Sequence, residues 1–325
     1  MKVVITGGGG FIGRKLAQRI LAQGALTGPS DQPEAVTELI LFDAVAPPDA
    51  ELADDRVRAV VGDITDAALV ADVIDAGTHS VFHLAAVVSA GAEAEFDLGY
   101  QVNLDGTHNV LEAARAANGA PRVVFASSLA VYGGEVPDTV VDETPITPET
   151  SYGAQKVIGE FLITDYSRKG YIDGRAMRLP TIVVRPGKPN KAASGFASGI
   201  IREPLNGVDM VCPVTPESRM AIMSPRTVVD CFIHMHELDS ARLGASRAIL
   251  LSGFSVSMGD AAAAVQGVET NRTRGKITFE VDPQIQAIVD GWPKTTSSAK
   301  AAGLGFPSDS NIVDVIAAYI EDELD

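Results

Sequence analysis

The amino-acid sequence predicts an α/β fold with a doubly wound parallel sheet. The first observation behind this prediction is the apolar, β-branched run from Val3 to Ile5, which is typical of a strand buried on both faces. The second is that similar runs alternate with stretches of helical periodicity through the first half of the chain. Because consecutive parallel strands connect in a right-handed sense, this alternation places helices on both faces of one sheet.

Composition and charge narrow the class of protein. The chain has 325 residues, enough for one large domain or two modest ones, and its 46% hydrophobic and 21% charged residues are typical of soluble globular proteins. A net charge of −16 disfavours binding to nucleic acid or to an anionic membrane. No apolar run is long enough to span a membrane, and no signal peptide is recognised. Cys212 and Cys231 form no C-x-x-C pair, so we expect a cytoplasmic protein in which both are buried as small apolar residues.

A glycine-rich turn follows the first predicted strand. Gly7, Gly10 and Gly13 are spaced so that one permits a tight turn, one a close approach to a pyrophosphate, and one the packing of helix on strand. The helical periodicity of residues 11–22 points the first helical amides at a bound phosphate. The spacing G-x-x-G-x-x-G differs from the usual G-x-G-x-x-G, and a glycine-rich turn without a ligand is the alternative. We predict a Rossmann-type dinucleotide-binding domain.

An aspartate ends the second predicted strand, residues 39–43. Asp43 lies further from the glycine turn than usual because a polar loop, residues 24–33, is predicted between them. A carboxylate at this place accepts hydrogen bonds from ribose hydroxyls and repels a 2′-phosphate, and no Lys or Arg follows until Arg56. We therefore predict NAD as the cofactor in preference to NADP. The alternative is an ordinary turn aspartate.

The rest of the first half continues the alternation of strands and helices. We predict a strand over 58–65 that contains Asp63 and Ile64, a helix over 66–76, a strand over 80–86 that contains His83 and Ala85, a helix over 96–117 that contains Asn103, and a strand over 122–128. The small residues that end the strand over 80–86 let the backbone approach a cofactor. We interpret His83 as a packed strand residue and not as a ligand.

Three polar side chains in the right order suggest redox chemistry. Ser128 ends the fifth strand, and Tyr152 and Lys156 are four residues apart on a predicted helix, so they share one face. A phenol has a pKa of about 10, and a nearby ammonium and a positive nicotinamide ring favour its phenolate. Tyr152 can then accept the proton of a substrate alcohol while hydride leaves for nicotinamide, with Ser128 holding the oxygen. Y-x-x-x-K alone occurs by chance, but its combination with the glycine turn and Asp43 is specific.

Four segments carry a resemblance to a known family: Thr6 to Gly13, His83 to Ala86, Ser127 to Gly133 and Tyr152 to Lys156. In this order they resemble the extended short-chain dehydrogenase/reductase family over residues 1 to about 180. The resemblance implies Ser128, Tyr152 and Lys156 as catalytic residues. It also implies NAD contacts at Gly7, Gly10, Phe11, Ile12, Gly13, Asp43, Asp63, Ile64, Ala85, Asn103, Tyr152 and Lys156. A homodimer is implied as well, paired through the helices that hold Asn103 and Tyr152.

The family contains epimerases, dehydratases and dehydrogenases, which differ at particular positions. Dehydratases place an acid beside the catalytic serine, where this chain has Leu129, so dehydration is not expected. Residues 178–207 resemble dehydrogenases of small polyhydroxy acids, although Thr181 stands where a family asparagine is common. We expect an NAD-dependent dehydrogenase of a small polyhydroxy acid. The alternatives are a nucleotide-sugar 4-epimerase and a regulatory protein without activity, which the intact Ser128, Tyr152 and Lys156 disfavour.

The second half is predicted to form a smaller, partly discontinuous α+β substrate domain. We divide the chain into 1–177 and 178–325, with a strand near 248–252 returning to the first sheet. Helices are predicted over 224–238, 257–265 and 312–324, and a strand over 276–281. His234 and His236 face different sides of a helix and H-E-x-x-H is missing, so no metal is expected.

An acidic protein needs a local cation to bind a carboxylate. Arg219 resembles, in position, the arginine that nucleotide-sugar relatives place against a diphosphate, and its planar fork suits a carboxylate. Ser89, just beyond the fourth strand, is expected to contact a substrate hydroxyl. The alternative is that Arg219 is a solvated surface residue, in which case Arg185 and the loop over 186–191 become the candidates.

Overall fold

The computed structural model describes residues 1–48, 53–117, 119–187, 194–268 and 272–324. The strands in these ranges are β1 Lys2–Thr6, β2 Ala25–Thr27, β3 Pro33–Ala35, β4 Glu38–Asp43, β5 Val57–Val61, β6 Thr78–His83, β7 Arg122–Ser128, β8 Thr139–Val140, β9 Asp173–Leu179, β10 Thr181–Ile182, β11 Met210–Cys212, β12 Arg219–Met223, β13 Ala248–Leu250, β14 Phe254–Ser257, β15 Ile277–Phe279 and β16 Thr295–Thr296.

The α-helices in the same ranges are α1 Phe11–Gln23, α2 Ala67–Val73, α3 Ser89–Ala94, α4 Phe96–Tyr100, α5 Gly106–Ala116, α6 Ser151–Arg168, α7 Gly195–Leu205, α8 Pro225–Glu237, α9 Met258–Gly267, α10 Pro283–Asp290, α11 Ala299–Leu304 and α12 Ile312–Glu323. A π-helical segment, Gln101–Asp105, joins α4 to α5. Short 3₁₀ turns occupy Leu129–Val131 and Ser240–Arg242.

A seven-stranded sheet forms the centre of the first compact unit. Its strand order is β13-β9-β7-β6-β1-β4-β5, and β1 pairs in parallel with β4 on one side and β6 on the other. The predicted α/β class with a doubly wound parallel sheet is therefore confirmed. After β1 the chain adds β4 and β5 on one side of it and then crosses over to add β6 and β7 on the other side. Such a switch opens a crevice at the carboxyl ends of the strands. Thr6 lies opposite Phe42 and His83 there.

The chain divides into two compact units. The first contains Met1–Ser128, Ser151–Arg178 and Val229–Ile249, and the second contains Leu129–Thr150, Leu179–Val228 and Leu250–Asp325. This division differs from a single cut at residue 178 because some segments pair with distant elements. In the second unit β8 pairs with β16, and in the first unit the end of α8 is hydrogen-bonded to β6 through His236 and Ser80.

Each unit has its own apolar core. The first packs residues such as Val4, Phe42 and Phe125 between the sheet and its helices. The second packs helices α7, α9 and α12 with the three-stranded sheet β10-β12-β14, and its core includes Ile222 and Ile316. Cys212 and Cys231 are buried free thiols, as expected from the sequence.

Most predicted elements are confirmed, with shifts at their ends. The polar loop predicted over residues 24–33 is present only over 28–32, because Ala25–Thr27 and Pro33–Ala35 form an antiparallel hairpin, β2 and β3, and Thr27 is hydrogen-bonded to Glu237. Strand β6 ends at His83 and not at Ala86. The predicted helix over 96–117 is present but passes through the π-helical segment.

Candidate active site

The glycine turn after β1 allows very close backbone contacts. Gly7 has φ +72°, and a Cβ placed on it would lie 2.8 Å from the amide nitrogen of Ala85. A Cβ on Gly13 would lie 2.2 Å from the carbonyl oxygen of Gly7. Gly10 precedes α1 without a side-chain cap, so the first amides of the helix point toward the turn. This turn is shaped to hold a phosphate group against the helix start.

Two acidic residues lie at or just beyond the carboxyl ends of neighbouring strands. The Asp43 carboxylate, at the end of β4, accepts hydrogen bonds from the amides of Gly9 at 3.0 Å and Val45 at 3.2 Å. Asp63, beyond β5, accepts one from the Thr65 amide at 2.9 Å, and the adjacent Ile64 is buried. The glycine turn and Asp43 belong to one side-chain and backbone network. Because this network offers a cradle for a pyrophosphate and an acceptor for ribose hydroxyls, it fits NAD.

Phe11 and Ile12 form the first turn of α1 and are partly buried. The Lys15 ammonium lies 5.4 Å from the centre of the Phe11 ring, so a cation stands at this end of the helix. Both predicted cofactor contacts therefore occupy the helix start that follows the glycine turn.

Asn103 holds a loop beside helix α6. It lies in the π-helical segment, and its side-chain oxygen accepts a hydrogen bond from the Val87 amide at 2.8 Å. Its side-chain nitrogen donates to the Val87 carbonyl at 2.9 Å and to Gln155 on α6 at 2.7 Å. Ser89 begins α3 directly after this loop and is partly buried. Asn103 therefore fixes the loop that leads into Ser89.

The predicted catalytic residues lie on β7 and α6, which pack against each other. Ser128 is the last residue of β7, and Tyr152 and Lys156 lie in the first two turns of α6. The Lys156 ammonium is 5.5 Å from the centre of the Tyr152 ring, and the side chain of Lys156 is almost fully buried. Burial lowers the pKa of Lys156 to about 7, although the nearby Glu160 carboxylate opposes this change. Lys156 is thus poised to titrate near neutral pH.

Residues that the sequence analysis did not single out surround Lys156. The Phe125 ring centre lies 4.7 Å from its ammonium. Glu160, one helical turn later, accepts hydrogen bonds from Ser127 at 2.6 Å and from Arg178 at 2.7 Å. The spacing of Glu160 from Lys156 on a helix was a usable signal for this neighbour. The contact of Phe125 depends on tertiary packing.

His83 is a packed residue of the sheet. Thr107 donates to the Asn103 carbonyl at 2.6 Å, so the ring nitrogen Nε2 of His83 donates to Thr107 at 2.9 Å and Nδ1 accepts from Thr6 at 2.6 Å. Burial lowers the pKa of His83 to about 3, and the Lys156 charge adds to this effect. The ring therefore stays neutral and connects β1, β6 and α5.

Arg219 opens β12 in the second unit. Its side chain is 45% exposed and lies 3.6 Å from the Asp260 carboxylate, with long contacts to the hydroxyl and carbonyl oxygens of Ser255 at 3.4 and 3.3 Å. Exposed ion pairs of this length are weak, so another carboxylate can compete for the guanidinium. Arg185 accepts a hydrogen bond from Arg202 through its carbonyl at 2.7 Å. Residues 188–191 of the alternative loop lie outside the described residues.

His236, near the end of α8, makes side-chain hydrogen bonds inside the first unit. His236 is buried and hydrogen-bonded to Ser80 at 2.7 Å and Glu237 at 2.8 Å. Among the residues that the structure describes, no group of three or more His, Cys, Asp or Glu side chains is arranged to hold a metal ion. Within the same residues, no helix is both long enough and apolar enough to cross a membrane.

Comparisons with known proteins agree with this geometry. The model of the NAD dependent epimerase/dehydratase family matches residues 3–245. The chain is 49% identical to a D-erythronate dehydrogenase from Cupriavidus necator, over 99% of this chain and 98% of the relative. It is 46% identical to a D-erythronate dehydrogenase from Haemophilus influenzae, over 99% of both. The resemblance of residues 178–207 to this group of dehydrogenases therefore extends to the whole chain.

A solved structure shows the same fold. The crystal structure of a nucleoside-diphosphate-sugar epimerase from Agrobacterium tumefaciens superimposes with a TM-score of 0.92 at 39% identity. The match covers 100% of this chain and 94% of the other. The predicted Rossmann-type architecture is therefore confirmed. The chain belongs to the NAD-dependent epimerase/dehydratase family, and NAD is its cofactor.

Proposed function

We propose that this NAD-dependent dehydrogenase oxidises a small polyhydroxy acid, D-erythronate, to 2-dehydro-D-erythronate. The choice of substrate is supported by two full-length relatives with that name. The observation that supports the chemistry is the buried Lys156 ammonium, 5.5 Å from the Tyr152 ring on the same helix. An alcohol oxidation needs a base for the hydroxyl proton, and this pair supplies one.

The chain's own residues hold the cofactor at the carboxyl ends of the strands. The glycine turn and the start of α1 bind the pyrophosphate, and Asp43 accepts hydrogen bonds from the ribose. The family resemblance implies further contacts with NAD at Phe11, Ile12, Asp63, Ile64, Ala85 and Asn103. Bound there, NAD would supply the hydride acceptor for the oxidation of the substrate alcohol.

Proton transfer falls to the side chains around α6. Tyr152 accepts the proton of the substrate hydroxyl as the C–H bond breaks, so that a carbonyl forms and the proton resides on the phenol. The Lys156 ammonium stabilises the phenolate that performs this step. Ser128 hydrogen-bonds the reacting oxygen and keeps it in place.

The substrate carboxylate needs a cation, which we assign to Arg219. Its present contacts to Asp260 and Ser255 are long, so the guanidinium is available for a bidentate pair with a carboxylate. Ser89, which follows the loop that Asn103 fixes, contacts a substrate hydroxyl. Binding through the carboxylate is expected to be equal in the ground and transition states.

We also propose a homodimer formed by α4, α5 and α6. Phe96 on α4 is 55% exposed and Phe161 on α6 is 65% exposed, which is unusual for aromatic side chains. Burying both rings against a second copy would stabilise the pair. A cytoplasmic location also stays a prediction.

A substrate screen tests the proposed activity. The purified protein and NAD are mixed with short sugar acids of both configurations, and NADH formation is followed by absorbance. We expect turnover with D-erythronate and none with nucleotide sugars.

The 39% identical epimerase structure favours one alternative, a nucleotide-sugar 4-epimerase. Interconversion of nucleotide sugars with tightly retained cofactor and no net reduction would establish that alternative. Cofactor binding without turnover of any alcohol would indicate a regulatory protein.

A further inference from the structure

The Phe125 ring lies directly against the catalytic lysine. Phe125 is a fully buried residue of β7, and its ring centre is 4.7 Å from the Lys156 ammonium. The Tyr152 ring centre is further away, at 5.5 Å. A cation within about 6 Å of a ring centre is attracted by the negative face of the ring, and the attraction is strongest where water is excluded. The contact therefore has the distance and the burial of an effective cation–π interaction.

The position of the Phe125 ring is fixed from two sides. A Cβ added to Gly159, in the middle of α6, would lie 2.6 Å from the Phe125 ring atom Cζ. The His83 ring lies on β6 with its centre 5.5 Å from that of Phe125. Glycine is unfavourable inside a helix, so its presence at 159 indicates that the close approach of this ring matters.

The Lys156 ammonium lies against aromatic rings. Among the described residues, its recorded contacts are with the rings of Phe125 and Tyr152. The nearest acid, Glu160 on the same helix, already binds Arg178 of β9 through both carboxylate oxygens and also accepts from Ser127. His83, facing Lys156 from β6, is neutral. The aromatic rings are thus the direct partners of this buried charge.

We propose that Phe125 is a positioning residue for the reaction, whose ring holds the Lys156 ammonium charged and beside Tyr152. This inference rests on the proposed role of Lys156 in proton transfer. It differs from a simple packing role because it depends on the electrons of the ring and not only on its volume.

Fluorinated phenylalanines at position 125 separate these two roles. Successive fluorine atoms weaken the negative face of the ring while its shape changes little. The titration of Lys156 is followed by NMR of isotope-labelled lysine in the full-length protein, with and without NAD, and its signal is assigned with Lys156→Arg. We expect the Lys156 midpoint to fall step by step, by about one pH unit across the series. The acidic limb of the plot of kcat/KM against pH, measured with D-erythronate, should shift to lower pH in parallel.

Phe82 provides a matched control. It is a buried ring on the neighbouring strand β6 that contacts Phe232 and His236, and the same analogues there should leave the Lys156 midpoint unchanged. Phe125→Leu keeps an apolar side chain but has no ring. It should lower the Lys156 titration midpoint by as much as the most fluorinated analogue does. A midpoint that stays constant through the series would overturn the proposal. The NMR titration needs no substrate. Its result can therefore still be interpreted if D-erythronate proves not to be the substrate.

Discussion

The backbone amide of Gly9 donates a 3.0 Å hydrogen bond to the carboxylate of Asp43. This bond ties the glycine turn after β1 to the end of β4, so the phosphate cradle and the ribose acceptor are fixed relative to each other. A second bond, from the Val45 amide, holds the other carboxylate oxygen. The carboxylate is therefore oriented before the cofactor arrives, which reduces the entropy lost on binding.

Removing the Asp43 carboxylate should weaken the preference for NAD. We expect Asp43→Ala to lower kcat/KM with NAD by about tenfold to a hundredfold, because hydrogen bonds to a charged group are lost. The ratio of kcat/KM for NAD to that for NADP should fall as well, because repulsion of the 2′-phosphate disappears. Asp72→Ala on α2 removes the same charge from an exposed position and serves as the control. An unchanged ratio in Asp43→Ala would assign the ribose contact elsewhere.

The buried Lys156 should destabilise the fold at neutral and low pH. The unfolded chain releases this proton near the ordinary value of 10.5, whereas the folded protein releases it at about 7. Between these values the unfolded state binds more protons, so the free energy of unfolding should rise with pH through this window. We expect Lys156→Met to raise the melting temperature at pH 7 and below, with a gain that shrinks toward pH 10. A gain that is equal at all pH values would contradict this account.

Arg219→Met should mainly affect substrate binding. We expect KM for the acid to rise by about tenfold or more, with little change in kcat or in NAD affinity, because the carboxylate is held equally in ground and transition states. Arg226→Met in the same unit, which breaks surface ion pairs with Glu321 and Asp322, provides a control for lost charge. If Arg219→Met keeps the parent KM, Arg185 becomes the candidate for the carboxylate contact.

A charge in the centre of the proposed dimer face should separate the subunits. Among the phenylalanines in the described part of the chain, Phe161 is the most exposed. We expect Phe161→Glu to sediment as a monomer at micromolar concentration, because a buried carboxylate without a partner is strongly unfavourable. Ile288→Glu, at a similarly exposed position on α10, should sediment like the parent. A parent protein that is itself monomeric would refute the dimer.

Local patterns in the sequence were sufficient for the fold class and for the placement of Tyr152 and Lys156 on one helix. The strand before Gly7, the helix after it and the spacing of Tyr152 and Lys156 are set by neighbours within a few residues, so periodicity and turn chemistry predict them. The exact end of β6 at His83 was missed because the following Leu84 to Ala86 are apolar and continue the strand pattern.

Features that depend on distant contacts were not predictable in this way. The hairpin of β2 and β3 looks polar in sequence, and it is held by the bond from Thr27 to Glu237, which lies far along the chain. The contact of Phe125 with Lys156 likewise requires the packing of β7 against α6. The partner of Arg219, Asp260, comes from a separate helix, so the sequence offered no sign of that pair.

Tyr152 is proposed as the base of the reaction, and the rates of the parent and of Tyr152→Phe test that role. NADH formation from D-erythronate is measured for the parent and for Tyr152→Phe, and NAD affinity is measured for both. We expect the parent to turn over and Tyr152→Phe to be slower by about 10²-fold to 10⁴-fold, as for loss of a general base, with NAD affinity retained. A Tyr152→Phe variant that oxidises D-erythronate at the parent rate would contradict the account.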